Sequence, residues 1–195
     1  FAYLPAAGSG ACLRAPVGAD VVLVLDASSS MAGAALAAAR AAALAFLDRM
    51  ALGTGGDRAA LVAFNAGAAL LQPLTSDRGS LASALAGIPT AQGTAIDAGL
   101  EAARGALAPS VGERRRQVVL LTDGRHNGTP GADRAAAAAL WAQGTRTDAI
   151  GLGDDADPEA LHALAGLGGR YLQAPRPEDL AAVFDALADE VLCAR

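Results

Sequence analysis

A chain of 195 residues, 53% of them hydrophobic, has the material for one domain with a full core, and no apolar run in it reaches the length of a membrane span. The net charge of -5 leaves Arg114-Arg115-Arg116 as the only basic cluster, which argues against nucleic acid, because phosphate binding needs clustered cations. All 15 basic residues other than histidine are Arg, so the P-loop, Schiff-base chemistry, Ser-Lys hydrolysis and lysine isopeptide cross-links are all excluded.

Residues 1–18 read as an irregular extension; "FAYLPAAGSG" has neither Met nor a basic leader, so it is not a signal peptide as it stands and reads as a piece of a longer protein. "ADVVLVLD" (19–26) is an unbroken β-branched and Leu run, the mark of a buried parallel strand. Residues 31–50 are predicted helical and stop before "GTGG". "DRAALVAFNA" (57–66) is a second strand, and "AALLQPL" (68–74) turns back as a third, antiparallel at the edge, where Pro73 is tolerated. Helices follow at 76–88 and 94–107, the latter with Thr94 and Asp97 spaced as a capping box. "RRQVVLLTDG" (115–124) is another apolar strand, with the Arg triplet as its solvated start. Helix 132–144, strand 146–153, helix 157–167, strand 169–174 and helix 177–192 complete the chain.

Strands alternate with helices, which predicts an α/β domain: a doubly wound, mainly parallel central sheet of about six strands, one antiparallel edge strand, and helices on both faces. The abundant Ala predicts helices that pack closely on that sheet. The expected division is an extension (1–18), the domain (19–192) and a short tail (193–195).

Two strands end in polar clusters, Asp26-Ala27-Ser28-Ser29-Ser30 and Thr122-Asp123-Gly124. Ligands of such sheets sit beyond the carboxyl ends of the strands where strand order reverses. If the two strands are neighbours there, Asp26 faces Asp123, and the helix opening at Thr94 must begin at the same edge. Two carboxylates and three hydroxyls are hard oxygen donors, a set that suits Mg²⁺ first, with Mn²⁺ or Ca²⁺ as substitutes. Each residue also has a local reading: Ser30 as a helix N-cap, Asp26 as an acceptor for turn amides, Thr94 as a cap.

Asp26-x-Ser28-x-Ser30, then Thr94, then Asp123-Gly124, within "QGTAIDAGL" and "VVLLTDG", resembles the metal-ion-dependent adhesion site (MIDAS) of von Willebrand factor type A domains. The resemblance covers about residues 19–192. It implies that Ser28, Ser30 and Thr94 coordinate the metal through hydroxyls, and that Asp26 and Asp123 bind through water or directly according to state. It implies a protein ligand that supplies an Asp or Glu carboxylate, with no chemistry performed. Cys12 and Cys193 flank the domain, and some members of the family tie their ends with a disulfide. Such a bridge here implies an exported protein; two unrelated thiols is the other reading. With an Arg-only, Ala-rich composition typical of GC-rich bacterial genomes, the expected setting is extracellular or on a bacterial surface.

Two other functions stay open. Some bacterial members of the family are cytosolic assembly subunits that work with an AAA-type ATPase. A Mg²⁺-dependent hydrolase fits less well: Ser28 stands where an aspartyl phosphatase needs its second acid, Lys is absent, and no G-x-S-x-G elbow occurs. Outside the cluster, His126 reads as a solvated loop residue, His162 as structural, Trp141 as packing, and Asn127-Gly128-Thr129 as a turn that matches a glycosylation acceptor by chance. Asp154, Asp155 and Asp157 read as a solvated loop and helix cap.

Overall fold

The computed structural model describes residues 17–166 and 168–192; Cys12 and Cys193, and with them the expected disulfide, lie outside this range. Six strands, β1 (Ala19–Asp26), β2 (Arg58–Phe64), β3 (Ala68–Thr75), β4 (Arg115–Thr122), β5 (Arg146–Leu152) and β6 (Tyr171–Ala174), form one sheet in the order β3-β2-β1-β4-β5-β6. β3 is antiparallel to β2 and every other pairing is parallel. The helices are α1 (Ala34–Arg49), α2 (Arg78–Ala86), α3 (Ile96–Leu107), α4 (Ala132–Ala142), α5 (Pro158–Ala165) and α6 (Leu180–Leu192). Among the described residues, no helix is long and apolar enough to cross a membrane.

All eight residues of β1 are buried, which is why its sequence is continuously apolar rather than alternating. Its side chains still divide by face. Val21, Leu23 and Leu25 join the core beneath α1, α2 and α6, whereas Val22 and Val24 join the core beneath α3, α4 and α5. α1 and α6 meet through an edge-to-face contact of Phe46 and Phe184 with ring centroids 6.1 Å apart. The small residues do what their abundance predicts. Ala39, Ala42 and Ala43 bring α1 down onto the sheet, and Gly99 lets α3 approach Phe64 and Val24 so closely that a Cβ there would lie 3.0 Å from each.

The structure differs from expectation in three informative places. The helix predicted from residue 31 begins at Ala34, because Ser29–Met31 form a separate 3-10 turn anchored by the buried Met31. The Thr94–Asp97 capping box does not form; α3 starts at Ile96 with Ala95 at its N-cap and no capping side chain there. The Arg triplet is not simply solvated. Arg114 Nε donates to the fully buried Asp20 at 2.7 Å, Arg58 pairs with the same carboxylate, and Arg115 donates to the Val191 carbonyl at 2.8 Å. This network closes the end of the sheet where β1 begins.

Candidate functional site

The chain winds one way from β1 through β2 to β3, then crosses back to place β4 on the other side of β1. The switch point therefore lies between the carboxyl ends of β1 and β4, where Leu25 is in register with Leu121. Asp26 ends β1 with no solvent exposure. Both of its carboxylate oxygens are occupied: Oδ1 accepts the Ser28 N–H at 2.7 Å and Oδ2 accepts the Thr122 hydroxyl at 2.5 Å. The first of these bonds turns the chain. The following 3-10 turn, closed by the Met31 N–H on the Ser28 carbonyl, brings two alternate serines to one side.

Ser28 and Ser30 hydroxyls lie 2.9 Å apart. Ser30 donates to Asp123 Oδ1 at 2.9 Å, and Ser28 Oγ lies 3.4 Å from the same oxygen. Asp26, Ser28, Ser30 and Asp123 thus form one group, graded from the buried Asp26 to the exposed Ser30. Thr94 is brought to it from the third segment. It is 8% exposed, and a Cβ on Gly124 would lie 3.6 Å from its hydroxyl, so Thr94 stands against the residue that follows Asp123. The five residues singled out in the sequence are therefore neighbours in space. The local readings fail for Ser30 and Thr94, since neither α1 nor α3 has a capping side chain, and hold in part for Asp26, which does accept a turn amide.

Burial pushes the Asp26 carboxyl above the usual range; hydrogen bonds from Thr122 and Ser28 oppose this, and the charge of Asp123 adds to it. Burial raises Asp123 as well, opposed by Ser30 and Ser28 and reinforced by Asp155. Arginine is not among the main causes of either shift, in contrast to Asp20, which Arg58 and Arg114 hold below the usual range against its burial. Among the described residues, no cluster of three or more His, Cys, Asp or Glu could hold a metal. A cation here would rely on hydroxyls, and an all-oxygen set around two uncompensated carboxylates has the chemistry that a hard divalent ion takes.

Three further residues shape the site. Thr122 bridges the strands by donating to Asp26 while accepting the Gly124 N–H at 3.2 Å. His126 is not a solvated loop residue: its side chain is 10% exposed, and both ring nitrogens are engaged, Nδ1 with the Ile96 N–H at 3.2 Å and Nε2 with the Thr129 carbonyl at 3.0 Å. Asn127 reaches across to Thr94 rather than only turning the chain, its Oδ1 accepting the Thr94 N–H at 2.8 Å. Asp157 caps α5 as expected, accepting the Ala160 N–H at 3.1 Å. His162 lies on the exposed side of α5, and Trp141 packs over Gly166.

The family model of the von Willebrand factor type A domain matches residues 20–186. Among solved structures, a von Willebrand factor type A protein from Catenulispora acidiphila is 26% identical with a TM-score of 0.79, over 90% of this chain and 43% of that one. Proximal thread matrix protein 1 from the mussel byssus, solved with a zinc-occupied MIDAS motif, is 24% identical with a TM-score of 0.83, over 92% of this chain and 47% of its own. The vWF domain of the type V pili tip protein Mfa5 from Porphyromonas gingivalis is 19% identical with a TM-score of 0.77, over 90% of this chain and 95% of its own. The chain spans less than half the length of the first two, and the likeness to the last two is one of fold. A search of curated proteins finds no match.

Proposed function

The chain belongs to the von Willebrand factor type A domain family, and from that premise we propose that it is a metal-dependent protein-binding module of an extracellular, bacterial surface protein. The ion is a divalent cation, Mg²⁺ first and Mn²⁺ or Ca²⁺ in its place. Ser28, Ser30 and Thr94 offer it hydroxyls. Asp26, buried behind the serines and already accepting from Ser28 and Thr122, acts through water in this reading. Asp123 is half-buried and takes the outer position. When bound, the cation supplies Lewis acidity and an open position for the carboxylate of an Asp or Glu of a partner protein.

The observation that carries this reading is the convergence of the Ser28 and Ser30 hydroxyls on Asp123 Oδ1, at 3.4 and 2.9 Å, beside a second buried acid. Hydroxyls leave the cation's charge largely unneutralised, so an incoming carboxylate gains most at that position. The protein performs no chemistry of its own in this reading. Both serines donate to the Asp123 carboxylate and neither is paired with an imidazole, since His126, the nearest in sequence, spends both nitrogens on backbone groups. The adhesive setting follows the company the fold keeps, a pilus tip protein and a thread matrix protein.

Thermal melting with Mg²⁺ against EDTA tests the cation. At a hundredfold excess over Kd, binding to the folded state adds about 2.7 kcal/mol. For a chain of this size that is a rise of roughly 5–10 °C. The rise is expected in the parent and absent in Ser30→Ala, whose hydroxyl is exposed and whose loss leaves the core intact. Equal responses from both proteins would place the cation elsewhere. Binding to candidate partners, with each partner acid replaced in turn by its amide, then tests the carboxylate.

A further inference from the structure

Thr94 differs from the other four residues of the site. Asp26, Ser28, Ser30 and Asp123 are joined by hydrogen bonds among themselves and through Thr122. Thr94 is outside that network, so something else must hold it at the switch point. The answer lies at the start of α3, which lacks a capping side chain of its own although its first amides need partners.

The Ala95 N–H donates to the Asn65 carbonyl at 2.7 Å and the Ile96 N–H leans on the Thr94 carbonyl at 3.1 Å; the remaining partners of Thr94 and Ile96 come from the loop after β4. Asn127 brackets Thr94 from both sides of the peptide: its Oδ1 accepts the Thr94 N–H at 2.8 Å, and its own N–H donates to the Thr94 carbonyl at 3.1 Å. His126 Nδ1 accepts the Ile96 N–H at 3.2 Å, which leaves Nε2 to carry the proton and donate to the Thr129 carbonyl at 3.0 Å. The loop closes tightly over the ring, since a Cβ on Gly128 would come within 2.6 Å of His126 Cε1. Two consecutive residues thus satisfy amides two positions apart on a segment some thirty residues earlier in the chain.

The geometry points to His126 and Asn127 as a cap supplied to α3 from another segment, with Asn127 as the positioning residue for Thr94. This rests on the reading that Thr94 faces a cation. An ordinary capping box would turn the Thr94 hydroxyl onto the backbone of its own helix. The bonds from Asn127 engage only the Thr94 backbone, so the side chain is left free beside Gly124, the neighbour of Asp123, where a Cβ would lie 3.6 Å from both its hydroxyl and its methyl. Asn127 also stands four residues after Asp123 on the same loop. A shift of that loop therefore carries an acid and a hydroxyl of the site together, rather than pulling them apart.

Amide exchange and Mn²⁺ affinity of the full chain test this, with Asn127→Ala, Asn127→Asp and Thr94→Ala. Asn127 is exposed, so Asn127→Ala is expected to stay folded. Without metal, it should exchange the Thr94 amide roughly tenfold faster, the equivalent of one hydrogen bond, with sheet amides unchanged. Asn127→Asp keeps the acceptor and should retain the protection. With Mn²⁺, Asn127→Ala should bind ~10–100-fold more weakly, as residues that orient ligands do. Unchanged Thr94 exchange in Asn127→Ala would overturn the assignment. So would parent-like Mn²⁺ affinity in Asn127→Ala when Thr94→Ala has lost binding, and so would global unfolding of Asn127→Ala, which would make the residue a general support. If the parent itself binds no Mn²⁺, the cation reading fails, and the clamp is decided by the exchange arm alone.

Discussion

Asp26 is where the demands of folding and of binding separate most sharply. Its carboxyl is fully buried and its pKa is raised chiefly by that burial, so the ionised form is a burden on the folded protein until a cation compensates it. An amide of the same shape removes the burden. In Asp26→Asn the Oδ1 can still accept from Ser28, and Thr122, now accepting from Nδ2, can donate to the Gly124 carbonyl 3.3 Å away. The expected outcome is a crossing: in EDTA the variant melts at or above the parent, whereas in Mg²⁺ only the parent gains. A variant that melts well below the parent in EDTA would show that Asp26 serves the fold first. All five side chains of the site stand out in the sequence because each falls at the end of a strand or the start of a helix, where a polar cluster is conspicuous. The roles of Thr122, His126 and Asn127 do not, because their partners lie 96, 30 and 33 residues away, and separations of that length leave no local pattern. The capping box misleads for the same reason: Thr94 and Asp97 have the right spacing, but a distant loop supplies the cap.

At the level of the element, α3 carries the site's third segment, and two glycines within it make opposite demands. Gly99 faces the sheet, where a Cβ would lie 3.0 Å from Phe64 and Val24, both essentially without exposure and unable to give way. Gly105 faces open space, with nothing beyond its own helix backbone within 4 Å of the position a methyl would take. The same substitution should therefore change sign along one helix. Gly105→Ala is expected to stabilise by up to about 1 kcal/mol through helix propensity, raising the melting temperature by roughly 2–4 °C. Gly99→Ala gains the same propensity but overpacks, a penalty of roughly 1–3 kcal/mol, and should melt lower. Because α3 would be lifted at its start, Gly99→Ala should also weaken the response to Mg²⁺, and Gly105→Ala should not. Melting curves of the two variants decide it; equal shifts would mean that α3 does not rest on Gly99. The strands were legible because burial on both faces forces unbroken apolar runs, as in β1 and β4, and the antiparallel β3 was legible from the short turn and from Pro73. Which glycine touches the sheet was not legible, since it depends on the approach of a helix to strands that are distant in the chain.

For the molecule as a whole, the two ends of the sheet have opposite electrostatics, and this sets its response to pH. At the end where β1 begins, burial works to raise Asp20, but hydrogen bonds from Arg58, Ser110 and Arg114 hold it below its usual range. A carboxyl depressed in the folded state contributes stability that is present above its unfolded pKa, about 3.9, and is lost as pH falls through the lower folded value. Asp26 and Asp123 at the other end, and Asp148 within β5, are raised, chiefly by burial. Their contribution has the opposite sign: it is present below the unfolded pKa and is lost as pH rises through the raised folded values. Without metal, stability should therefore increase on mild acidification from neutral pH and fall only at the acid end, where Asp20 protonates. Removing the Asp20 charge should lower stability at pH 7 by about 3 kcal/mol, because it strands two partly buried guanidinium groups. That loss should shrink toward the acid end, where the parent has lost the same charge. Melting temperatures of the parent and Asp20→Asn in EDTA, taken from neutral pH down past the usual carboxylate range, would show two curves converging on the acid side. Parallel curves would mean that Asp20 is not the group that titrates there, and that the arginine network closes the sheet by hydrogen bonding alone.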